Sequence, residues 1–483
     1  MDIKPVFNTV GTLVFLLGLL MLIPMSISVY SHQGDVWSFF LAAAVAVGLG
    51  VLIKRISHTS KEPGTKESFA IVALGWMIAA AIGALPFVFY GACPTYSDAF
   101  FEAMSGLTTT GATVIENIEV QPNGILFWRS LLHWLGGMGI IVLFIAVLPG
   151  ASVGGSRLFK AEVPGPLPER IVPRIKETAK TLWLIYVGFT AIEIVLLYLG
   201  GMSLLDSVNH AFATMATGGF STKAASVGAW KNSGIHWIIT VFMFLAGCNF
   251  TLYFRALTGR NLRVFFHDAE FKFYVSIILA AISLITVNLY ASGSFQGLAE
   301  TFRHSAFQVV SIITTTGFAT CDFDMWPSFS RAVLMTLMFI GGCAGSTAGA
   351  IKVGRILVLV KHGYKEAFQF IYPRAVTLPK INGSPVSRSM LNTITAFFFV
   401  YVATFISGSL IMTGLGLDLV SACSAVAATL GNVGPGFKVV GPAFTYQPIP
   451  AFGKWVLSAC MLLGRLELFT VLVLFIPDFW RRG

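Results

Sequence analysis

Long apolar runs recur throughout this chain, and they constrain its fold more than any other feature. They stand at residues 10–30, 69–90, 181–201 and 271–292, where most side chains are aliphatic, aromatic or small. A helix of about 20 apolar residues crosses the hydrocarbon core of a bilayer. Charged residues make up only 11% of the chain, against a usual share of about 25%. The sequence therefore predicts an all-α membrane protein with no soluble catalytic domain between its spans.

The first apolar run, residues 10–30, is expected to remain in the protein as a membrane helix. The apolar core of a secretory signal has roughly 7 to 15 residues and follows a basic segment. This run is longer, and Lys4 is the only basic residue before it. We therefore count it as the first span.

The basic residues are concentrated in alternate loops. The chain has a net charge of +10, and most of its 32 Lys and Arg lie near the two ends or in the segments 54–66, 157–180, 255–272 and 352–388. Such an excess of Lys and Arg is typical of the cytoplasmic loops of membrane proteins. This distribution predicts that both termini are cytoplasmic and that the number of full spans is even. It also accounts for the positive charge without a nucleic-acid partner.

Four short turns that contain glycine are spaced about one hundred residues apart, which indicates an internal repeat. They read TTTGAT at 108–113, MATGGF at 215–220, TTTGFA at 314–319 and GNVGPGF at 431–437. Each turn stands between two long apolar runs. We take four glycines as equivalent, namely Gly111, Gly218, Gly317 and Gly434.

The segment before each turn is too short to span the membrane. These segments lie at 96–107, 204–214, 302–313 and 417–430. A helix of about 12 residues reaches roughly 18 Å, whereas the hydrocarbon core is about 30 Å thick. Each segment must enter and return, and irregular backbone at that depth is tolerated only where it is buried in protein or lines a water-filled path. The sequence predicts ten transmembrane helices, four re-entrant half-helices and one pore with fourfold pseudosymmetry.

The threonines and glycines of these turns are suited to bind a dehydrated monovalent cation. Glycine adopts backbone angles that turn carbonyl groups toward a common axis, and rings of carbonyls can replace the hydration shell of an ion. Threonine hydroxyls extend this column of oxygens, and the carboxyl-terminal ends of the half-helices favour positive charge. One such turn by itself is also consistent with a helix C-cap. Four copies at matching positions favour a pore.

At these turns, and in the two apolar runs that precede the first repeat, the chain resembles the Trk/Ktr/HKT superfamily of potassium transporters and, within it, the TrkH-type membrane subunit. The resemblance covers nearly the whole chain. It implies K⁺ uptake across the inner, or plasma, membrane of a bacterium or archaeon. It further implies a two-helix extension at 1–63 and pore repeats at 64–160, 161–262, 263–380 and 381–483.

The resemblance also assigns the filter. Relatives that prefer Na⁺ carry serine where this chain has Gly111, so glycine in all four turns implies selectivity for K⁺, the transported ion. The fourth turn departs from the T-T-G pattern. The implied filter residues are Thr109, Thr110, Gly111, Ala216, Thr217, Gly218, Thr315, Thr316, Gly317, Asn432, Val433 and Gly434.

An arginine stands in the middle of the last apolar run, SACMLLGRLELFTVLVLF. At the bilayer centre an arginine costs roughly 2.5 to 3.5 kcal/mol unless it faces water or a partner. Glu467 lies two positions from Arg465, projects from another helix face and is expected to be structural. The resemblance places Arg465 in the pore below the filter, as a barrier to cations. A structural ion pair with another helix is the alternative.

A glycine-rich segment, FIGGCAGSTAGAIK at 339–352, interrupts the second long helix of the third repeat. Each glycine weakens a helix by roughly 1 kcal/mol relative to alanine, so the chain can unwind here. The resemblance implies an intramembrane loop that blocks the pore beneath the filter and moves on activation, while close helix packing is the alternative. The implied gating residues, besides Arg465, are Gly341, Gly342, Gly345, Ser346, Thr347, Gly349 and Lys352.

The expected partners also follow from the resemblance. It implies a homodimer on a cytosolic ring of RCK-type regulatory subunits that bind NAD or ATP, with no covalent cofactor in this chain. The chain itself has no nucleotide motif, because GGCAGSTAGA lacks a preceding strand pattern and a G-K-[ST] ending. The basic, proline-rich stretch at 157–176 suits either docking to a partner or contact with anionic membrane lipid.

Outside the filters, four acidic residues can enrich cations or are ordinary solvated charges: Glu116, Glu119, Asp322 and Asp324.

Two other interpretations remain open. A Na⁺-coupled Ktr-type transporter subunit is the nearer one, and the two initial spans argue against it. A membrane-embedded enzyme would use Glu102, His133 or His210 as acid and base, but it leaves the fourfold repeat unexplained. The two histidines show no metal-binding spacing, and we expect them to pack or to form hydrogen bonds. The six cysteines form no C-x-x-C pair, which favours packing roles over zinc or disulfides.

Overall fold

A computed structural model describes residues 1–59, 61, 63–139, 175–372 and 378–481. Within these ranges the chain is mostly helical, and its strands are limited to a short antiparallel hairpin of β1 (Lys380–Ile381) and β2 (Ser384–Pro385). Helices satisfy their backbone hydrogen bonds internally, as a bilayer requires. The prediction of a helical membrane protein is confirmed.

The helices are numbered in chain order. The amino-terminal helices are α1 (Ile3–Leu20), α2 (Leu22–Tyr30) and α3 (Val36–Ile56). The predicted first repeat contains α4 (Thr65–Gly83), α5 (Leu85–Tyr90), α6 (Tyr96–Leu107) and α7 (Asn123–Gly137). The second contains α8 (Ile175–Leu199), α9 (Leu204–Met215), α10 (Ser233–Ala246) and α11 (Phe250–Gly259). The third contains α12 (Arg263–His267), α13 (Ala269–Ala291), α14 (Leu298–Ile313), α15 (Ser328–Leu337) and α16 (Val353–Ile371). The fourth contains α17 (Arg388–Gly414), α18 (Leu419–Leu430), α19 (Ala451–Arg465), α20 (Phe469–Leu472) and α21 (Pro477–Trp480).

Six helical stretches in the described part are long and apolar enough to cross a membrane. They are Ile3–Tyr30, Val36–Ile56, Thr65–Tyr90, Ala179–Leu199, Ala269–Ala291 and Arg388–Gly414. Two further apolar pairs are sharply bent, α10 with α11 by 90° and α19 with the helical segment Phe469–Phe475 by 111°. Helix α7 ends close to residues outside the described ranges, and a non-helical segment separates α15 from α16. The count of ten spans therefore stays a prediction.

Small residues allow the amino-terminal helices to pack closely. Helix α1 packs along α3 and against α4. A Cβ at Gly50 would collide with the backbone of Phe15, and one at Gly18 would press on Ala46. Between helices in lipid, van der Waals contact of this kind replaces the hydrophobic driving force. Helices α1 and α3 are thereby held close together.

Four short helices, which we call the pore helices, are α6, α9, α14 and α18. Thr95 and Asp98 form a capping box at the start of α6, Ser203 caps α9, and Asp418 caps α18. Such caps satisfy backbone N–H groups at the first turn. Each pore helix ends at the glycine-containing turn of its repeat. Their re-entrant position in a bilayer stays a prediction.

The predicted repeat boundaries fall between helices wherever the chain is described. The boundary at 63/64 precedes α4, the one at 262/263 lies between α11 and α12, and the one at 380/381 lies in the β hairpin. The boundary at 160/161 and most of the basic stretch 157–176 lie outside the described residues.

Candidate ion pathway

Each pore helix ends in a turn with the same backbone conformation. A non-glycine residue and, two positions later, a glycine lie in the left-handed region. The pairs are Thr109 (φ 54°) with Gly111 (φ 81°), Thr217 (φ 54°) with Gly219 (φ 79°), Thr315 (φ 56°) with Gly317 (φ 80°), and Asn432 (φ 53°) with Gly434 (φ 102°). A left-handed non-glycine residue costs roughly 1 to 3 kcal/mol. Four copies at one position indicate a conformation that the surrounding structure imposes.

The four turns contact one another in a closed ring. A Cβ on one glycine of each turn would collide with a carbonyl oxygen of the next turn. The colliding pairs are Gly111 with Gly218, Gly219 with Thr316, Gly317 with Val433, and Gly434 with Thr110. Only a residue without a side chain permits such an approach. The turns from all four repeats therefore surround a single centre.

The second turn is offset by one residue from the alignment that the sequence suggested. Gly219, and not Gly218, has the positive φ and the ring contact of the other three glycines. Thr217 takes the left-handed position, and Ala216 is the helix cap that corresponds to Thr108. The expected equivalence of Gly218 is therefore wrong. MATGGF offers two adjacent glycines, and only the backbone conformation distinguishes them.

Hydroxyl groups within the turns are hydrogen-bonded to one another. The hydroxyl oxygens of Thr108 and Thr110 lie 2.8 Å apart, as do those of Thr314 and Thr316. In the fourth turn the Nδ2 of Asn432 donates to the Thr110 hydroxyl at 3.0 Å. This amide ties the fourth turn to the first, so the departure from T-T-G leaves the backbone conformation unchanged.

Glu102, His133 and His210, the residues of the enzyme hypothesis, are buried in the wall around the turns. The Nδ1 of His133 lies 2.7 Å from the carbonyl oxygen of Gly106, and the Nε2 of His210 lies 2.9 Å from the hydroxyl of Ser221. The expected hydrogen-bonding role of both histidines is confirmed. These groups hold residues of the pore helices and turns.

A cavity, which we call the outer cavity, adjoins one side of the ring. It is lined by one glycine of each turn, Gly111, Gly219, Gly317 and Gly434, and by side chains that include Arg129, Lys223 and Tyr446. The hydroxyl of Tyr446 donates to the carbonyl oxygen of Gly434 at 2.8 Å. The sequence analysis missed Arg129 and Tyr446, because neither belongs to a repeated motif.

Two of the four outer acidic residues take part in loop structure. Asp324 accepts a hydrogen bond from the backbone N–H of Lys438 at 3.0 Å, and Asp322 accepts one from the N–H of Asp324 at 3.0 Å. Glu116 and Glu119 are exposed. Enrichment of cations by these carboxylates stays a prediction.

Asp418 caps pore helix α18 outside the predicted spans. A hydrogen bond from Ser421 and the Lys438 ammonium, 3.0 Å away, lower the pKa of Asp418 to about 2. The carboxylate is therefore charged at neutral pH, which suits a helix amino terminus.

Residues 339–352 are not helical, as the glycine content predicted. We call this segment the intramembrane loop. It closes on itself through a hydrogen bond from the N–H of Gly341 to the carbonyl of Ile351 at 2.9 Å. A Cβ at Gly341 would collide with the Gly349 carbonyl oxygen, and a Cβ at Gly342 would press on the Gly247 carbonyl oxygen. The glycines thus permit a close backbone fold.

The intramembrane loop lies against the ring on the side where the pore helices end. The hydroxyl of Thr347 donates to the carbonyl oxygens of Met215 and Ala246 at 3.1 and 3.2 Å. The N–H of Gly349 donates to the hydroxyl of Thr315 at 2.7 Å. The loop is therefore hydrogen-bonded to the end of pore helix α9, to the end of α10 and to the third turn.

The loop also fills the break between α10 and α11. The N–H of Cys343 donates to the Gly247 carbonyl at 2.9 Å, and the N–H of Phe250 donates to the Gly345 carbonyl at 3.0 Å. One oxygen of Glu270 accepts two backbone N–H groups at 2.7 and 2.9 Å, one in the loop and one at the start of α16. Backbone groups that the bend exposes therefore have partners in the loop.

Arg465 is the last residue of α19, and its guanidinium points at backbone carbonyls of two other repeats. It donates to Thr347 of the loop at 2.7 Å and to Gly137 at 3.0 Å, and also to Gly136. Hydrogen bonds of a charged donor are stronger than neutral ones. The arginine therefore joins the last helix to the loop and to the end of α7.

The remaining predicted gating residues lie around this contact. The Lys352 ammonium donates to the carbonyl of Ala348, and the Ser346 hydroxyl donates within the loop. Glu467 forms an ion pair with Arg355 of α16. This pair agrees with the structural role expected for Glu467.

Comparison with known proteins places the whole chain beside potassium transporters. The family model described as "TrkH: Cation transport protein" matches residues 36–482. The Trk system potassium uptake protein TrkH of Escherichia coli K12 is 42% identical over 485 residues, covering 100% of both chains. Its counterpart in Vibrio parahaemolyticus is 40% identical over 490 residues, again covering 100% of both.

A solved structure of a potassium transporter also matches the whole chain. The crystal structure of the potassium transporter TrkH from Vibrio parahaemolyticus matches with a TM-score of 0.90 and 38% sequence identity, covering 100% of both chains. These relatives are transporters, so the prediction that this chain is not an enzyme is confirmed.

Proposed function

This chain belongs to the TrkH family of cation transport proteins, and from that premise we propose that it carries K⁺ into a bacterial or archaeal cell across the inner membrane. The membrane potential drives uptake, since an inside-negative potential supplies about 2.3 kcal/mol per charge per 100 mV. No chemical conversion by this chain is needed. Both termini face the cytoplasm, in line with the basic loops.

The ring of four turns is the selectivity filter, and the closed contact between its turns is the observation that carries the proposal. Carbonyl and hydroxyl oxygens of the turns replace the water around a K⁺ ion. The filter consists of Thr109 to Gly111, Thr217 to Gly219, Thr315 to Gly317 and Asn432 to Gly434. The pore helices end beside it, and their carboxyl-terminal ends favour a cation.

The intramembrane loop and Arg465 form the gate. The loop lies across the end of the filter, and Arg465 adds a positive charge that opposes a leaving cation. Opening requires that the hydrogen bonds from Thr347 and Arg465 be broken. Loop residues from Gly341 to Lys352 then move away from the axis.

The gate is controlled from the cytoplasm. The relatives are named as parts of a Trk system, and a homodimer of this chain on a ring of RCK-type subunits that bind NAD or ATP fits that description. The basic loops offer a docking surface for such subunits or for anionic lipid. The chain is organised in the five predicted segments, from the two-helix extension to the fourth repeat.

Cells that lack K⁺ uptake systems provide the test. The wild-type chain and Gly111→Ser are expressed with a regulatory subunit, and uptake of Rb⁺, as a K⁺ tracer, is measured in competition with Na⁺. We expect wild type to restore growth on low K⁺ and Gly111→Ser to lose discrimination against Na⁺. Unchanged discrimination in a variant present at normal amounts would refute the filter assignment. Rb⁺ uptake that depends on Na⁺ would favour the Ktr-type alternative.

A further inference from the structure

A buried ion pair stands directly behind the first and second filter turns. Glu102 lies in pore helix α6 and Arg129 in α7, and their side chains are 0% and 2% exposed. The Nε of Arg129 donates to Glu102 at 2.7 Å. Burial of two charges carries a desolvation penalty that often cancels their attraction. A contribution to stability alone therefore does not account for the pair, whereas its hydrogen bonds to the neighbouring filter segments do.

The pair is bonded to backbone and side-chain groups just beyond both filter glycines. Glu102 accepts hydrogen bonds from the N–H of Val114 at 2.9 Å and from the hydroxyl of Thr113 at 3.0 Å. Arg129 donates to the carbonyl of Ser221 at 3.2 Å and to the Thr113 hydroxyl at 3.2 Å. One ion pair therefore anchors the segments that leave the first and second turns.

The guanidinium also packs on the second turn. Its central carbon lies 4.0 Å from the centroid of the Phe220 ring, next to Gly219. The planar fork of arginine can stack on an aromatic ring while its N–H groups reach several acceptors, whereas the single ammonium of lysine cannot. The observed contacts therefore require the planar, multidentate guanidinium of arginine.

The four repeats differ at this position. The residues at the same distance before the cap of the other three turns are His210, Gln308 and Ala425. Of these, His210 and Gln308 reach the turns through neutral side-chain groups. Within the described residues, a buried ion pair occupies this position only between the first and second turns. These two turns therefore have a stiffer support than the others.

We propose that Glu102 and Arg129 are a positioning pair that sets the discrimination between K⁺ and Na⁺ by holding the first and second filter turns apart at a constant distance. This inference rests on the proposed K⁺ filter. A ring of oxygens that can contract will also coordinate the smaller Na⁺. Because Arg129 lines the outer cavity, Glu102 also neutralises the charge of the Arg129 guanidinium near the entering cations.

Conservative variants test the positioning role. Arg129→Lys keeps the charge but loses the fork, and Glu102→Asp keeps the charge but withdraws the carboxylate from Val114. Each is measured for Rb⁺ uptake, and for inhibition of that uptake by Na⁺, per amount of folded protein in the membrane. We expect Na⁺ to inhibit at roughly tenfold lower concentration, which corresponds to about 1.4 kcal/mol. A purely structural role would lower the amount of folded protein and leave the Na⁺ inhibition unchanged.

Neutral variants separate charge from position. Glu102→Gln leaves the guanidinium uncompensated and should slow Rb⁺ entry, whereas the double variant Glu102→Gln with Arg129→Met should recover the rate but not the discrimination. Arg331→Lys is the control, since its pair with Asp324 spans 3.5 Å and the two side chains are 35% and 16% exposed, and it should behave as wild type.

Gly111→Ser distinguishes a failure of the positioning role from a failure of the filter assignment. If it abolishes discrimination while both conservative variants retain it, the positioning role is wrong and the filter stands. If Gly111→Ser also retains discrimination, the filter assignment itself fails.

Discussion

Arg465 and Thr347 belong to different repeats, yet the guanidinium of the first donates to the backbone carbonyl of the second at 2.7 Å. The Thr347 hydroxyl donates in turn to the carbonyls of Met215 and Ala246 at 3.1 and 3.2 Å. A chain of hydrogen bonds thus runs from the fourth repeat through the loop to the second repeat. Polar groups that lose a partner in low-dielectric surroundings are costly. We therefore expect these hydrogen bonds between the loop, Arg465 and the second repeat to be released together.

Arg465→Ala is expected to produce a leaky pore. It removes the positive charge beside the proposed filter and the hydrogen bonds from Arg465 to the loop and to α7, and a hydrogen bond of a charged group contributes about 1.5 to 3 kcal/mol. A bias of that size corresponds to roughly tenfold or more in the closed-state equilibrium. Rb⁺ uptake without the regulatory subunit measures the leak. A basal uptake equal to that of wild type, at equal expression, would remove Arg465 from the gate.

Thr347→Val tests the loop with a nearly isosteric change. Valine keeps the volume but removes the hydroxyl donor, so the Met215 carbonyl loses this hydrogen bond and Ala246 keeps only the backbone N–H of residue 347, at a cost of about 1 to 3 kcal/mol for a buried group. We expect basal Rb⁺ uptake to rise several-fold while the preference for K⁺ over Na⁺ is kept. Thr347→Ser retains the hydroxyl and is the matched control. Equal leaks in the two variants would mean that these hydrogen bonds do not hold the loop.

Gly317→Ala is expected to abolish selective uptake. Its Cβ would collide with the Val433 carbonyl of the next turn, and alanine is disfavoured at its φ of 80°. Gly293→Ala is the matched control, because Gly293 also has a positive φ, of 67°, but an added Cβ there would have no neighbouring atom within 4 Å. Both variants carry backbone strain, and only the first disturbs the ring. Competition of Na⁺ with Rb⁺ uptake should change in Gly317→Ala and not in Gly293→Ala.

Much of this arrangement could be predicted from the sequence, because apolar length and repetition are local signals. The runs of apolar residues predicted the long helices, and the break at 339–352 followed from its glycines. The register of the second turn could not be read in this way. The T-G pair in MATGGF matches T-T-G by letter, but the left-handed pattern begins at Thr217 and places Gly219 in the ring.

Contacts between segments that are far apart in the sequence could not be predicted from the sequence pattern. Glu102 and Arg129 stand 27 positions apart, and Arg465 stands 118 positions from Thr347. No sequence motif identifies these pairs, because each forms only when the repeats pack around one axis. The chemistry of a single arginine in a membrane predicted that Arg465 needs a partner, but not that backbone carbonyls would supply it.

Lys454→Met should destabilise the protein more than loss of an ordinary surface charge. The Lys454 ammonium pairs with Asp98, and the two side chains are 6% and 5% exposed, so the pair joins α19 to the start of pore helix α6. Removal of one partner leaves a buried charge and costs roughly 3 to 5 kcal/mol. Lys438→Met breaks a pair whose side chains are 50% and 42% exposed, and such pairs contribute about 0 to 1 kcal/mol.

The double variant Asp98→Asn with Lys454→Met separates charge from packing. It leaves no unpaired charge, so we expect it to recover most of the stability lost in Lys454→Met, since a buried pair and a neutral replacement are often equivalent. Thermal unfolding of detergent-solubilised protein gives the comparison. If the double variant unfolds at the same temperature as Lys454→Met, the loss comes from the packing of the lysine chain, and the buried carboxylate of Asp98 is not the cause.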